Sequence, residues 1–244
     1  MWRDEQKTAT LWWRDDDAQL PSAQLDRLID VSVTTQTPLV LATIPHGIDE
    51  ILGNKAKASD LISIVQHGYA HTNHAPPSEK KCEFGNHRAL DEMQQELIQG
   101  ADVLTNIFGD RFIKVLVPPW NRISLSVAHA LEGMGYVGLS TFGNALIVEP
   151  SPGFHQINTH VDLINWRGDR GFIGTINALQ KITSHLYQRR SGHLPIEQPT
   201  GILTHHLVHD EELWQFLEEF LQLTSHNTEA TWLTGSQVFN KYFS

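Results

Sequence analysis

Three successive aspartates in the run Arg14-Asp15-Asp16-Asp17, and two histidines four residues apart, His67 and His71, are the side chains best suited to chemistry. Adjacent carboxylates repel one another unless a cation or a guanidinium such as Arg14 offsets them. In a helical turn, positions i and i+4 share a face, so both imidazoles can bind one ion. Asp17 added to His67 and His71 makes one carboxylate and two imidazoles, a three-ligand catalytic set with an open coordination position. His74 follows three residues later and stays open as a further ligand. His205 ends the apolar run Ile202-Leu203-Thr204 and is a candidate general acid, because imidazole titrates near neutrality. Trp120 and Asn121 follow a double proline, whose stiff, extended exit sets the indole at a site rim. Asp162 and Trp166 again bring a carboxylate near an indole, which suits a carbohydrate face and equally suits ordinary packing. His209 and Asp210 read as polar residues at a helix entry.

The elements that must hold these residues alternate along the chain. Strands are expected at 10–13, 38–44, 61–65, 114–117, 137–140 and 201–204, with weaker ones within 156–164 and at 232–233. Helices are expected after Pro21, where Leu25, Leu28 and Ile29 recur at helical spacing, and over 89–108, 124–134, 173–189 and 211–223. A long polar loop covers 72–86. Such alternation implies βα units around a parallel sheet, and with no linker or repeat the whole of 1–244 reads as one domain. An open doubly wound sheet and a (β/α) barrel both fit. Asp16, His67, Trp120 and His205 each fall just past the C-terminal end of an expected strand, and in a barrel those ends meet at one face. No glycine-rich phosphate loop follows the first strand, which weakens a nucleotide-binding reading.

Composition narrows the function classes. A net charge of −10 argues against a non-specific nucleic-acid binder, which needs a basic footprint. One cysteine stands against fourteen histidines, so imidazole and carboxylate must hold any transition metal. The N-terminal run lacks the apolar core of a signal peptide, and no apolar stretch is long enough for a membrane span. The expectation is a soluble, cytoplasmic chain.

Taken in order, Arg14-Asp15-Asp16-Asp17, His67-Gly68-Tyr69-Ala70-His71, Pro118-Pro119-Trp120-Asn121, Asp162 with Trp166, and Leu203-Thr204-His205 resemble the polysaccharide deacetylase superfamily, the NodB-homology domain, over residues 10–240. The resemblance implies a distorted (β/α)7 barrel of the glycoside hydrolase–deacetylase type and one divalent metal, usually zinc. It makes Asp16 the catalytic base, Asp17, His67 and His71 the ligands, and His205 the general acid. Asp15 as base with Asp16 as ligand is the competing register. Trp120, Asn121, Asp162, Trp166 and Arg14 are expected at the substrate, with Asp162 also placed to orient His205. Three positions depart from the family pattern: Ala18 replaces a glycine, Gly68 a serine or threonine, and Val117 an arginine that orients the base. Arg14 or Arg122 is available to supply that guanidinium. The implied activity is metal-dependent hydrolysis of a carbon–nitrogen bond, removing acetyl from an N-acetylated sugar. A non-catalytic carbohydrate-binding or regulatory protein on the same barrel remains open. So does a small-amide metallohydrolase whose loop 74–85 shapes a closed pocket. The expected partner is a carbohydrate or small amide, with neither nucleic acid nor membrane, and the oligomeric state is left open.

Overall fold

The computed structural model describes residues 8–149 and 151–241. Its strands all pair in parallel within one sheet, in the order β6-β5-β4-β3-β2-β1-β8-β7. These are β1 (Ala9–Ala18), β2 (Leu39–Thr43), β3 (Ile62–His67), β4 (Phe112–Val117), β5 (Gly138–Leu139), β6 (His155–Gln156), β7 (Val161–Asp162) and β8 (Thr200–Thr204). A short β9 (Ala230–Trp232) also pairs with β1. Leu11 partners both Thr200 and Trp232, so β9 takes the edge of β1 opposite β8, below β2.

The weak strand expected within 156–164 is two fragments, and their pairing explains both the weakness and the curl. Ile157 and Thr159 donate backbone N–H bonds to Leu139 and Thr141, while His160 and Leu163 donate to Gly201 and Leu203. One bent segment thus pairs with β5 through its first half and with β8 through its second. It joins the two ends of the sheet, and with β1 to β5 and β8 it makes seven staves, as a (β/α)7 barrel requires.

The strands are apolar runs because both of their faces are covered. Trp12, Val40, Ala42, Val65, Val115 and Val117 fill the inside with Phe239. Leu11, Trp13, Leu39, Leu41, Ile62 and Ile64 face outward. They pack with apolar side chains of α1 (Ala23–Thr35) and α6 (Glu211–Ser225). Helix α3 (Leu90–Phe108) and α4 (Leu125–Ala130) cover the β4 side around Leu97, Leu116 and Val127. Ser22 caps α1 through the Leu25 N–H and Asp210 caps α6 through the Leu213 N–H, so Asp210 is the helix-entry residue expected of it.

Several elements differ from expectation. Helix α2 (Ile51–Lys57) is too short for a periodic signal to emerge. Helix α4 stops at Ala130 and a 3-10 turn follows, and α5 (Thr175–Arg190) starts two residues late, after Gly174. Strand β1 runs on to Ala18, so the three aspartates lie inside it and not beyond its end. Among the described residues, no helix is long and apolar enough to cross a membrane.

Candidate active site

The end of β1 distributes its charged side chains by strand alternation. Arg14 and Asp16 share one face and Asp15 takes the other. Arg14 is fully buried and grips Asp16 with two hydrogen bonds, Nε to Oδ1 at 2.7 Å and Nη2 to Oδ2 at 3.0 Å. Such fork-shaped pairing is the strongest form of carboxylate recognition. Ser140 Oγ, Asn121 Oδ1 and the Thr141 carbonyl accept the remaining Arg14 contacts, at 2.7, 3.3 and 3.5 Å. Arg14, expected at the substrate, is therefore sealed beneath Asp16. Its guanidinium lies against Asp16, whereas Arg122 turns away to the Lys81 carbonyl.

Asp15 makes a separate network on the outer face. Its carboxylate accepts from His206 Nδ1 at 2.5 Å, from the His206 N–H at 2.9 Å and from Thr204 Oγ1 at 2.7 Å, and Thr204 in turn accepts from Trp13 Nε1. Burial opposes the charge on Asp15, but His206 outweighs it and holds the carboxyl below its usual range. Asp15 is thus turned away from Asp17, His67 and His71, and it is Asp17 that groups with the two imidazoles.

Regular alternation would send Asp17 to the side of Asp15. Instead its φ is +74°, and the register of β1 against β2 shifts between Asp15 and Ala18, the mark of a bulge. The bulge brings Asp17 Oδ1 to 3.1 Å from His67 Nε2 and 3.4 Å from His71 Nε2. The ligand atoms of the three residues all lie within 4.8 Å of one another, and His74 lies outside that group. His67 Nδ1 sits 3.0 Å from the Val117 carbonyl, which can only accept, so Nδ1 carries the proton and Nε2 of the neutral ring presents a lone pair. A lone pair and a carboxylate oxygen facing one another need a proton or a cation between them, so the donor set fits a divalent ion. Burial disfavours a charged His67, but the Asp17 hydrogen bond and the Asp16 and Asp17 charges prevail and raise its pKa. Burial likewise opposes the charge of Asp17, yet the His67 hydrogen bond and the imidazole charges hold its carboxyl well below the usual range.

His67 and His71 do not share a helical face. His67 is the last residue of β3, and the chain then turns through Gly68 at φ +62° to His71 at φ +54°. The buried carboxylate of Glu83 stakes this turn, accepting the N–H of Ala70 at 2.8 Å, Tyr69 at 3.2 Å and Thr72 at 3.4 Å. A Cβ on Gly68 would lie 2.0 Å from Glu83 Oε2, so a residue with a side chain does not fit at 68 while Glu83 holds the turn. Sequence reading left Glu83 within the polar loop 74–85, open between a pocket wall and a solvated surface, because one carboxylate in a polar segment has no periodicity. Ser140 was read only as the last residue of the strand at 137–140, with no signal that its hydroxyl meets Arg14.

The remaining candidates line the rim. Trp120, at φ +56°, lays its ring 4.5 Å from that of His71. His205 follows β8, with Nε2 4.0 Å from Asp16 Oδ2 and its ring nearly perpendicular to that of Trp166, the centroids 4.7 Å apart. His205 Nδ1 is buried with no hydrogen-bond partner. Asp162 therefore does not grip His205 directly. Its two oxygens accept from Trp166 Nε1 at 2.8 Å and from the Ile164 N–H at 3.0 Å, and Trp166 in turn packs on His205. Burial pushes the Asp162 pKa up, against the opposing charge of His205.

No protein-family model matches the sequence, and no curated relative does. Solved structures match the fold over nearly the whole chain. A protein from Mycobacterium smegmatis assigned to the polysaccharide deacetylases is 16% identical, with a TM-score of 0.66 over 95% of this chain and 88% of its own. A family 4 acetyl xylan esterase from Clostridium thermocellum, in complex with a cobalt ion, is 13% identical, with a TM-score of 0.55 over 94% and 90%. A mutant of a family 4 pseudoenzyme is also 13% identical, with a TM-score of 0.57 over 88% and 62%. The chain thus has the fold of the NodB-homology deacetylases, the resemblance first carried by its short motifs.

Proposed function

We propose that the protein is a divalent-metal-dependent deacetylase of a carbohydrate, cleaving the carbon–nitrogen bond of an N-acetylated sugar. The observation that carries this reading is the convergence of Asp17, His67 and His71 beside a carboxylate, Asp16, that is itself clamped by Arg14. Asp17 Oδ1, His67 Nε2 and His71 Nε2 would hold the ion, and their oxygen and nitrogen donors suit zinc or another divalent transition metal. Such an ion polarises a carbonyl and lowers the pKa of water from 15.7 toward about 7.

The chain supplies the proton transfers. Asp16 takes a proton from the water whose oxygen bonds to the acyl carbon, and Arg14 keeps that carboxylate aimed. Protonated His205 gives its proton to the departing amine as the carbon–nitrogen bond breaks, so acetate and a free amine result. The rings of Trp120 and Trp166 flank the two histidines and bound the space for a pyranose.

The test is metal analysis joined to acetate release from N-acetylated sugars, for the parent and for Asp16→Asn. The parent is expected to hold about one ion per chain, and the variant to keep the ion but lose at least about a hundredfold in kcat. A parent that binds no divalent ion, or a variant as active as the parent, defeats the reading. The likeness to a pseudoenzyme favours one rival, a carbohydrate-binding protein on the same barrel. That rival predicts sugar binding with no acetate release at any metal loading.

A further inference from the structure

No protein hydrogen bond holds the His205 ring at Nδ1, and Asp162 is engaged by Trp166 and the Ile164 N–H. Apart from packing on Trp166, the place of that ring must come from its main chain. The main chain leaves the sheet at this point. The β1–β8 pairing ends at Asp15 and Thr204, and a 3-10 turn over His206–Val208 follows at once.

Beyond the last rung, the Asp15 carboxylate takes over from the ladder. Its Oδ2 accepts from Thr204 Oγ1 at 2.7 Å and from the His206 N–H at 2.9 Å. A single oxygen therefore ties the residue before His205 to the peptide after it. Oδ1 adds a second hold on His206, through Nδ1 at 2.5 Å. Trp13 Nε1 donates to Thr204 Oγ1 at 2.8 Å, which turns the hydroxyl proton toward Asp15. The His205 carbonyl accepts from the Val208 N–H at 3.0 Å, so the chain is held on both sides of this residue.

Stability is a weak reason for such a network. Asp15, Thr204 and His206 are all buried. Apolar side chains of similar volume often replace a buried ion pair at no loss. What they cannot supply is direction, and here the bonds converge on the two neighbours of one residue. Strand alternation adds the second half of the argument. Asp16 faces the site while Asp15 faces outward, so consecutive residues of β1 set the base directly and His205 through its flanks. His205 Nε2 lies 4.0 Å from Asp16 Oδ2. We infer that Asp15 is a positioning residue for His205, fixing where the acid stands relative to the base while its ring stays free to align on the leaving group. The inference rests on reading His205 as the proton donor of the proposed hydrolysis.

The experiment varies the leaving group. A sugar amine must be protonated as it departs, whereas 4-nitrophenolate leaves 4-nitrophenyl acetate as a stable anion, so only the first reaction needs the acid. Acetate release from N-acetylglucosamine and nitrophenolate release from the ester are measured on metal-loaded protein, each against the chelated control. Asp15→Leu removes every acceptor. It is expected to lower kcat on the sugar about 10- to 100-fold, with KM, metal content and the ester rate within about twofold of the parent. Thr204→Val cuts one of the two ties and should show the same selectivity at about tenfold or less, and it decides the matter if Asp15→Leu does not fold. Asp15→Asn keeps an oxygen for Thr204 and the His206 N–H and should restore most of the sugar rate. Sugar and ester rates that fall together, or a sugar rate unchanged in both Asp15→Leu and Thr204→Val, overturn the role. A parent that hydrolyses neither substrate instead defeats the hydrolase reading, and this role with it.

Discussion

The ligand side and the acid side of the candidate site are built to different standards. On the ligand side, the Asp17 bulge sits in a ten-residue strand, the Val117 carbonyl fixes the His67 tautomer, and Glu83 accepts three N–H groups of the turn to His71. On the acid side, His205 has an unpartnered Nδ1, and its neighbour Asp162 ends a two-residue strand and makes its side-chain hydrogen bond to the Trp166 indole instead. An ion site needs its donors placed in advance, since misplacement costs affinity directly. A general acid beside a substrate can take its final alignment from that substrate, because catalytic hydrogen bonds tighten on binding.

The sharpest way to break this contrast is Glu83→Ala. If the turn is pre-set by Glu83, metal affinity measured by chelator competition falls about 10- to 100-fold, the usual cost of losing a group that orients a ligand. Unchanged metal affinity would place the rigidity of the ligand side elsewhere. Trp166→Phe probes the acid side more gently, keeping the ring edge on His205 and removing only the indole N–H to Asp162. One hydrogen bond of about 1 kcal/mol predicts a fall in kcat of tenfold or less, with metal affinity unmoved. A larger loss would mean that the acid side is as tightly pre-set as the other.

Acidification should yield the smallest effect and should act through the scaffold of the acid side. His160 immediately precedes β7, and its stacking partner His185 is held below the ordinary imidazole value by burial and by the Arg189 charge. A depressed histidine pKa favours the neutral ring in the fold. Its stability is present in full above the unfolded value near 6.5 and is lost as pH falls toward the His185 value of about 4. Urea midpoints measured from pH 7.5 to 4.5 should therefore decline below about pH 6.5, and His185→Gln should flatten that decline. A midpoint independent of pH across this window, or an unchanged slope in the variant, removes the stack from the account.

Much of this was legible in the chain, for physical reasons that also mark where legibility stopped. Parallel strands covered on both faces must be apolar runs, so Leu39-Val40-Leu41-Ala42 and its counterparts announce themselves, and the polar residues that end them stand out. His67 and His205 became visible that way. The continuation of β1 through Asp17 was not, because three acids in a strand look prohibitive until Arg14 and His206 are seen to partner two of them. The path from His67 to His71 was misjudged as helical, because spacing alone cannot distinguish a helical turn from one made by two positive φ angles. Glu83 makes that turn possible from a segment with no pattern to read.

The bulge at Asp17 carries a consequence for how this segment can vary. Arg14, Asp15, Asp16 and Asp17 each reach a different destination only because of their positions in the count along β1. Inserting or deleting one residue there would deliver Asp16 to the His206 side and strand Arg14 against the wrong neighbour. Homologous chains built on this plan should therefore keep the length of this segment constant.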